Sequence, residues 1–218
     1  MPLSLSEIEA RTIQDHLAVF GAFHPDAGDA LLSDIGTVIL VGPQEPGFWD
    51  YFQTTHEFND GVSDPLDRWS KRVASQIAED CGGKAAFPFG GPPYQPFIAW
   101  ALKSGRAWQS PVGLLVHDDA GLMVSYRGAI AFKETLELPA TPPCPCDTCD
   151  GKPCLTACPV DAFDSSVYDL VACHGYLETD PGRDCLQSGC AVRRACPVSQ
   201  RYGRVPQQSA FHMKAFHP

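Results

Sequence analysis

Positive charge is scarce in this chain of 218 residues: 16 Lys and Arg stand against 26 Asp and Glu, a formal net charge of −10. A protein that grips a phosphate backbone needs the opposite balance, so nucleic acid is not expected as its partner. The acidic excess suits solubility and docking to a basic protein. Long apolar runs are missing as well. No stretch reaches the about 18 uninterrupted apolar residues that mark a membrane helix, so no membrane span is expected. Residues 1–20 carry Glu7, Glu9, Arg11 and Asp15 and lack a basic start followed by an apolar run. No secretory signal is read there, and the expected compartment is the cytoplasm. Repeats and low-complexity tracts are also absent. The 44 % of hydrophobic residues is enough for a packed core and argues against wholesale disorder. The length allows one large domain, or a medium one and a small one.

Cysteine, by contrast, is abundant and unevenly spread. Nine of the ten cysteines fall between Cys144 and Cys196. A reducing compartment disfavours a disulfide scaffold, so dense thiols without an export signal point to metal.

The first 140 residues read as mixed α and β. Ser4 to Glu7 followed by Ile8, Ile13, Leu17 and Phe20 suggests a short amphipathic helix. Thr37 to Val41 is an apolar run ended by Gly42 and Pro43, which reads as a buried strand. Asp64 is placed to cap a helix with Pro65 at its first position and Asp67 in its first turn. Leu66, Trp69, Val73 and Ile77 then recur at helical spacing up to Cys81-Gly82-Gly83. Residues 87–96 hold too many Gly and Pro for regular structure, and a helix is read from Phe97 to Lys103. Val112–His117 and Leu122–Phe132, joined by Asp118 to Gly121, read as a hairpin. The stiff run Leu138 to Pro143 is the expected connector. It divides the chain into an α+β domain, residues 1–140, and a small metal-held domain, residues 141–218.

Two cysteine runs carry the chemistry. The first places Cys146, Cys149, Cys154 and Cys158-Pro159 in order; the second begins at Cys173 and continues through Cys185 and Cys190 to Cys196-Pro197. Bacterial ferredoxins use C-x2-C-x2-C-x3-C-P. The first run keeps the opening and closing spacings and the final Pro, with two residues inserted in the middle. A cubane cluster needs four thiolates converging from different directions. A short loop wrapped around it supplies three, and the fourth comes from a distant cysteine before a Pro. In two-cluster proteins the fourth cysteine of each run therefore serves the other cluster. On that logic one [4Fe–4S] cluster takes Cys146, Cys149, Cys154 and Cys196, and the other takes Cys158, Cys173, Cys185 and Cys190. Cys144, two residues from Cys146, is an alternative ligand, and Cys81 reads as a small buried apolar residue. Structural zinc is the competing reading, but only Cys146 and Cys149 form the Cys-x2-Cys knuckle that zinc favours.

The stretch from Cys146 through Cys173-His-Gly-Tyr176-Leu177-Glu-Thr179 to Cys196-Pro197 resembles the iron–sulfur module of epoxyqueuosine reductase, a cobalamin-dependent relative of the reductive dehalogenases. The N-terminal two thirds resembles the cobalamin-binding domain of CblC-type processing proteins, which decyanate and dealkylate cobalamin. Asp64 to Asp67, the loop Pro88 to Pro96 and its helix, Gly113 to Gly121, and Tyr126-Arg127-Gly128 carry that likeness. Ser104-Gly-Arg-Ala-Trp108 loosely matches a Gly-Trp segment of the reductase. The resemblances imply a nitroreductase-like, CblC-like α+β domain followed by a ferredoxin-like two-cluster domain. Together they imply electron transfer to a corrinoid, supplied by a redox partner protein. The reductase also uses an aspartate proton donor before its Gly-Trp segment, whereas here no Asp or Glu occurs between Asp80 and His117. Queuosine chemistry is accordingly not implied. Nor does the chain show, before Pro218, the helical repeats with which that enzyme handles transfer RNA.

Four residues are candidates for the corrinoid site. Arg127 sits in a Tyr-Arg-Gly segment that in the CblC-type family lies beside the cobalamin and a thiol cosubstrate; the plainer alternative is a surface arginine on a strand. His117 is a candidate cobalt ligand or corrin hydrogen-bonder, against a hydrogen-bonded structural histidine. Tyr94 and Trp108 belong to an aromatic series with Phe87, Phe89, Phe97 and Trp100, which suits either a flat wall for a macrocycle or ordinary core packing. His174 reads as a neighbour of a ligand, and His212 and His217 as part of a mobile tail. Beside corrinoid reduction stand two further readings: a ferredoxin-like carrier without corrinoid, and a zinc-held binding module.

Overall fold

The computed structural model describes residues 4–26, 34–163 and 167–218 and shows a mixed α+β protein with a small antiparallel sheet. Two compact units emerge. The first is Met1–Ala107 with Ser125–Pro142, and the second is Trp108–Val124 with Pro143–Pro218. The first unit ends at Pro142, and residues 108–124 cluster with the cysteine-rich part.

In the first unit, α1 (Leu5–Ile13) starts at a capping box: Ser4 Oγ accepts the Glu7 N–H and the Glu7 carboxylate accepts the Ser4 N–H. The helix stops short of its expected extent. Asp15 and His16 turn back onto Thr12 and Ile13, and His16 takes a left-handed backbone with φ 56°. Leu17 and Phe20 belong instead to β1 (Leu17–Phe23). β2 (Thr37–Pro43) is buried at every position, as its apolar run predicts. Two short helices follow, α2 (Phe48–Phe52) and α3 (His56–Asn59).

The long α4 (Pro65–Asp80) buries Leu66, Trp69, Val73, Ala74 and Ile77 on one face. Asp64 does not cap it: its φ of 54° is left-handed and its side chain accepts no cap hydrogen bond. Arg68 anchors this end instead, forking onto the Asp60 carboxylate at 2.7 Å and donating to the carbonyls of Glu57 and Ser63. β3 (Lys84–Ala86) and α5 (Phe97–Lys103) come next, the helix with the bounds read from sequence.

β4 (Ala107–Gln109) pairs with β5 (Leu115–His117), and β6 (Gly128–Phe132) completes a four-stranded sheet in the order β1-β2-β6-β3. Val41 pairs Gly128 and Thr37 pairs Phe132 across β2 and β6. The register of β1 slips between Val19 and Ala22, at Gly21. A Cβ on Gly21 would lie 2.6 Å from Ser104 Oγ, so only glycine fits there. Helix α4 packs on β6 and β3, and α1 and α5 pack on β1. Trp69 is fully buried among Phe48 and Phe52, with ring centroids 5.2 and 5.9 Å away.

The expected hairpin between residues 112 and 132 does not form. His117 and Gly121 exchange both backbone hydrogen bonds at 3.0 Å, but the ladder goes no further. The next backbone groups are taken by side chains. Leu122 N–H donates to Ser199 Oγ at 2.8 Å, Leu122 C=O accepts from Arg193, and Met123 C=O accepts from Arg204 at 3.1 Å. A segment so engaged has nothing left for a partner strand.

The second unit continues with α6 (Leu170–Leu177), α7 (Arg183–Ser188), α8 (Ala191–Ala195), α9 (Pro197–Arg201) and α10 (Pro206–Phe216). The expected mobile tail is thus a helix. It packs on α7, and His217 Nδ1 lies 2.7 Å from His174 Nδ1. No helix among the described residues is long and apolar enough to cross a membrane.

Candidate metal centre

The local backbone explains where each thiol of the second unit sits. Cys154 lies in a 3-10 turn, Pro153–Thr156, that starts from Lys152 in a left-handed conformation. Cys146 and Cys149 precede it on irregular chain, and Cys158 follows it. Cys173 is carried by α6, whose first turn Asp169 caps through the Ala172 N–H at 2.9 Å. Cys185 lies on α7 and Cys190 at the start of α8. Cys196 is the hinge between α8 and α9. Pro197 takes the first helical position of α9, which holds Cys196 extended at ψ 123°. The Cys-Pro pair therefore has a geometric use: it ends one helix and starts another around a thiol.

The thiols sort by their electrostatic neighbours. Burial, then the adjacent Cys144, Cys154 and Cys196, pushes the Cys146 thiol up to about 11. Burial, then Cys196 and Cys149, raises Cys154. In the other set, burial raises Cys173, with Cys190, Cys158 and Cys185 adding to it. Burial and Cys190 raise Cys185, while the Ala191 N–H opposes them. One neighbourhood thus holds Cys144, Cys146, Cys149, Cys154 and Cys196, and the other holds Cys158, Cys173, Cys185 and Cys190. All ten cysteines are free thiols. Among the described residues no three His, Cys, Asp or Glu groups converge as a single-ion chelate.

Donors surround these sulfurs. The Ala162 N–H points at Cys158 Sγ at 3.3 Å, and the Tyr168 hydroxyl donates to Cys173 Sγ at 3.0 Å. The Cys154 and Leu155 N–H groups favour charge on Cys154. Tyr168 is stacked on Phe163 at 4.5 Å, and burial raises its own phenol. Burial lowers the Arg193 guanidinium, against the pull of Cys190 and Tyr168. Neither Tyr168 nor Arg193 stands out in the sequence. Tyr168 lies five residues before a cysteine with no motif around it, and Arg193 is one of two adjacent arginines inside a cysteine run.

A cavity of about 360 Å³ is lined by Cys146, Cys149, Cys154 and Cys196, together with Ser110 and Val116. Its wall belongs to an apolar cluster of Val112, Val116, Leu122 and Val192 that includes the buried Cys154 and Cys196. Gly121 lies so close that a Cβ there would meet Ser199 N at 2.5 Å and Cys196 Sγ at 3.1 Å. Ser110 lines the cavity, but its hydroxyl oxygen is buried and has no hydrogen-bond partner among the described residues.

The four corrinoid-site candidates divide between the units. In the first, Arg127 Nη1 lies 3.3 Å from Asp67 Oδ1 and its Nε donates to the Tyr126 carbonyl at 3.0 Å. Burial lowers the Arg127 pKa and raises that of Asp67, each against the pull of the other. Tyr94 is 65 % exposed on its loop, while Phe97 and Trp100 are buried against each other at 5.1 Å. In the second, Trp108 packs on the apolar cluster beside Cys154 and Cys196. His117 is fully buried, and its Nδ1 accepts the N–H groups of Asp119 and Ala120 at 3.2 Å. That pattern makes Nδ1 an acceptor tied to its own turn. Cys81 belongs to the first unit, half-buried at the end of α4.

No protein-family model matches the chain, and no match was found among curated proteins or solved structures.

Proposed function

We propose that the protein is an iron–sulfur oxidoreductase that holds two [4Fe–4S] clusters in its second unit and delivers single electrons to a corrinoid. The sorting of the thiols carries this reading. Each set of neighbours joins cysteines from both sequence runs: Cys196 stands with Cys146, Cys149 and Cys154, and Cys158 with Cys173, Cys185 and Cys190. That exchange of the cysteine before proline is the crossing expected of two-cluster proteins. Cys144, a neighbour of Cys146, remains an alternative ligand in the first set.

The donor chemistry supports the same reading. Crowded, half-buried thiols resist losing their protons, and cationic iron reverses that tendency. The Ala162, Leu155 and Ala191 amides would then hold charge on sulfur. A [4Fe–4S] cluster, when bound, takes up and releases one electron, and the surrounding amides, hydroxyls and burial set its potential.

The corrinoid acceptor and the finer fold, CblC-like then ferredoxin-like, rest on the sequence resemblances. With them come a redox partner protein and a reducing, cytoplasmic setting. A second reading, a ferredoxin-like carrier without corrinoid, is favoured by His117, which is sealed from solvent and bonded to its own turn.

Oxygen-free purification tests both. The relay requires about eight iron and about eight acid-labile sulfide per chain, with visible absorbance that dithionite bleaches. Stoichiometric zinc without labile sulfide replaces it with a zinc-held module. Added cobalamin changes the spectrum of the reduced protein if a corrinoid is the acceptor; an unchanged spectrum at micromolar corrinoid favours the carrier.

A further inference from the structure

We infer that the outer face of α6 is the docking surface for a basic redox protein, one that presents an apolar patch ringed by Lys and Arg and feeds single electrons to the cluster held by Cys158, Cys173, Cys185 and Cys190. This rests on the two-cluster reading above.

Helix α6 is apolar on every side: Leu170–Leu177 contains no Asp, Glu, Lys or Arg. A helix of that composition is normally buried. Leu177 is, but Leu170 and Val171 are 49 and 85 % exposed, and Val167, just before the helix, is 73 % exposed. Val171, Gly175 and Glu178 share the outward face at helical spacing. Glycine inside a helix is destabilising relative to alanine. A Cβ on Gly175 would meet nothing within 4 Å, so no packing among the described residues calls for this glycine. What it provides is bare backbone on an apolar face, where another surface can approach closely.

Acidic groups frame that face. The Asp169 N–H donates to the Ala162 carbonyl at 2.9 Å, which brings Asp161 to the start of α6 beside the exposed Asp169. Glu178 and Asp180, both exposed, stand at the other end, where the helix dipole favours cations. They oppose that dipole and set the sign of the surface. From residue 161 to residue 184 there are six acidic residues and one basic one, Arg183, which is itself tied to Asp180 at 3.1 Å. An apolar centre with a polar rim is the usual anatomy of a protein interface, and a negative rim selects a positive partner. A second copy of this chain would bring acid against acid. The eight residues of α6 span only about 12 Å, so the whole outer face lies close to Cys173. The partner loses one electron and the cluster gains it; no bond forms or breaks.

The test follows this exchange in the reverse direction. Oxygen-free holoprotein is reduced with dithionite, freed of excess reductant and mixed by stopped flow with ferric cytochrome c, a lysine-rich one-electron acceptor, or with the same cytochrome after its lysines are succinylated. Wild type is compared with Val171→Lys, Gly175→Trp and Glu178→Lys, and with Glu79→Lys at an exposed position on α4, after counting iron and labile sulfide. At low ionic strength the native probe should react about tenfold faster than the succinylated one, and added salt should erase the difference. Val171→Lys and Glu178→Lys should each slow the native probe about tenfold. Glu79→Lys changes the net charge as much as Glu178→Lys does and should slow the probe far less. Gly175→Trp should slow it at every salt concentration, because the ring obstructs approach while the open space around Gly175 accommodates it. Equal slowing by Glu178→Lys and Glu79→Lys assigns the effect to net charge and overturns the docking surface. Unmoved rates in Val171→Lys and Gly175→Trp at full loading overturn it as well. A wild type that sediments as a dimer, split by Val171→Lys, gives the face to a second copy instead. Protein without labile sulfide overturns the cluster reading and this inference with it.

Discussion

The two units are stabilised by different chemistry. The first is an antiparallel sheet with helices packed on it, and its core is aromatic and aliphatic: Phe20, Phe48, Phe52, Trp69, Ile39, Ile77 and Ile130 are all essentially inaccessible. The second depends on helices of five to eight residues, α6 to α9, which are too short to persist by themselves. Two of the six buried members of its core cluster are the cysteines Cys154 and Cys196. Candidate site and core are therefore separate in the first unit and share atoms in the second. A mutation in the first unit can weaken the fold without touching the thiols. In the second, if the thiols hold the proposed clusters, loss of those clusters should remove the structure itself.

The largest expected effect tests that contrast directly. Under the two-cluster proposal, stripping iron with an oxidant and a chelator should abolish hydrogen-exchange protection in α7 to α10 while β2 and α4 keep theirs. Retained protection in α7 to α10 after all iron has gone would break the comparison, because the second unit would then have a self-sufficient core. The converse perturbation is Trp69→Ala. Trp69 is fully buried, so its loss should cost about 3–5 kcal/mol in denaturant unfolding. Iron and sulfide counts should stay unchanged. Trp69→Phe should cost far less than the alanine variant, since the Trp69 Nε1 has no acceptor among the described residues to lose. A fall in iron content in either variant would show that the units are energetically coupled.

The sequence makes some of this legible and hides the rest for identifiable reasons. β2, α4 and α5 are announced by an apolar run, a helical repeat and flanking Pro and Gly, and all three form. Leu17 and Phe20 fit a helical period with Ile8 and Ile13, and only the left-handed turn at His16 sends them into a strand. Residues 122–124 have strand composition, yet Ser199, Arg193 and Arg204, far away in sequence, take their backbone groups. No local pattern reveals such a contact. For the thiols, spacing suffices to propose sets, because the Cys-Pro hinge is a local device. Tyr168 escapes notice because a hydroxyl becomes informative only once its surroundings are known.

A smaller effect sharpens the picture of the first unit. Glu57 is almost fully buried and holds Arg72 through contacts of 2.6 and 3.1 Å, with His56 at 3.4 Å. Glu57→Gln keeps the shape and removes the charge. It should cost about 1–3 kcal/mol, toward the lower end, because Arg72 is half exposed and can rehydrate.

The pH dependence of that cost is the subtlest test, and its sign is fixed by environment. Burial pushes the Glu57 carboxyl up, but the Arg72 hydrogen bond, a backbone bond and the Arg72 charge outweigh it, so the net position is below the ordinary carboxylate range. A carboxylate with a depressed folded pKa contributes stability above its unfolded value, about 4.3 for Glu. That contribution disappears as pH falls through the folded pKa. Wild type and Glu57→Gln should therefore differ most near neutral pH and converge in acid. Asp67 has the opposite sign: burial raises it despite Arg127. Its ionisation costs stability as pH rises from the unfolded value through the folded one. Asp67→Asn should remove that loss, at the expense of the Arg127 contact, so its difference from wild type should change in the reverse direction over the acid limb. Chemical denaturation from neutral pH down to below the folded carboxylate range, on the order of pH 3, followed by exchange in α4 and β6, measures both. Parallel curves for wild type and Glu57→Gln would mean that Arg72 gives the carboxylate no net preference in the folded state.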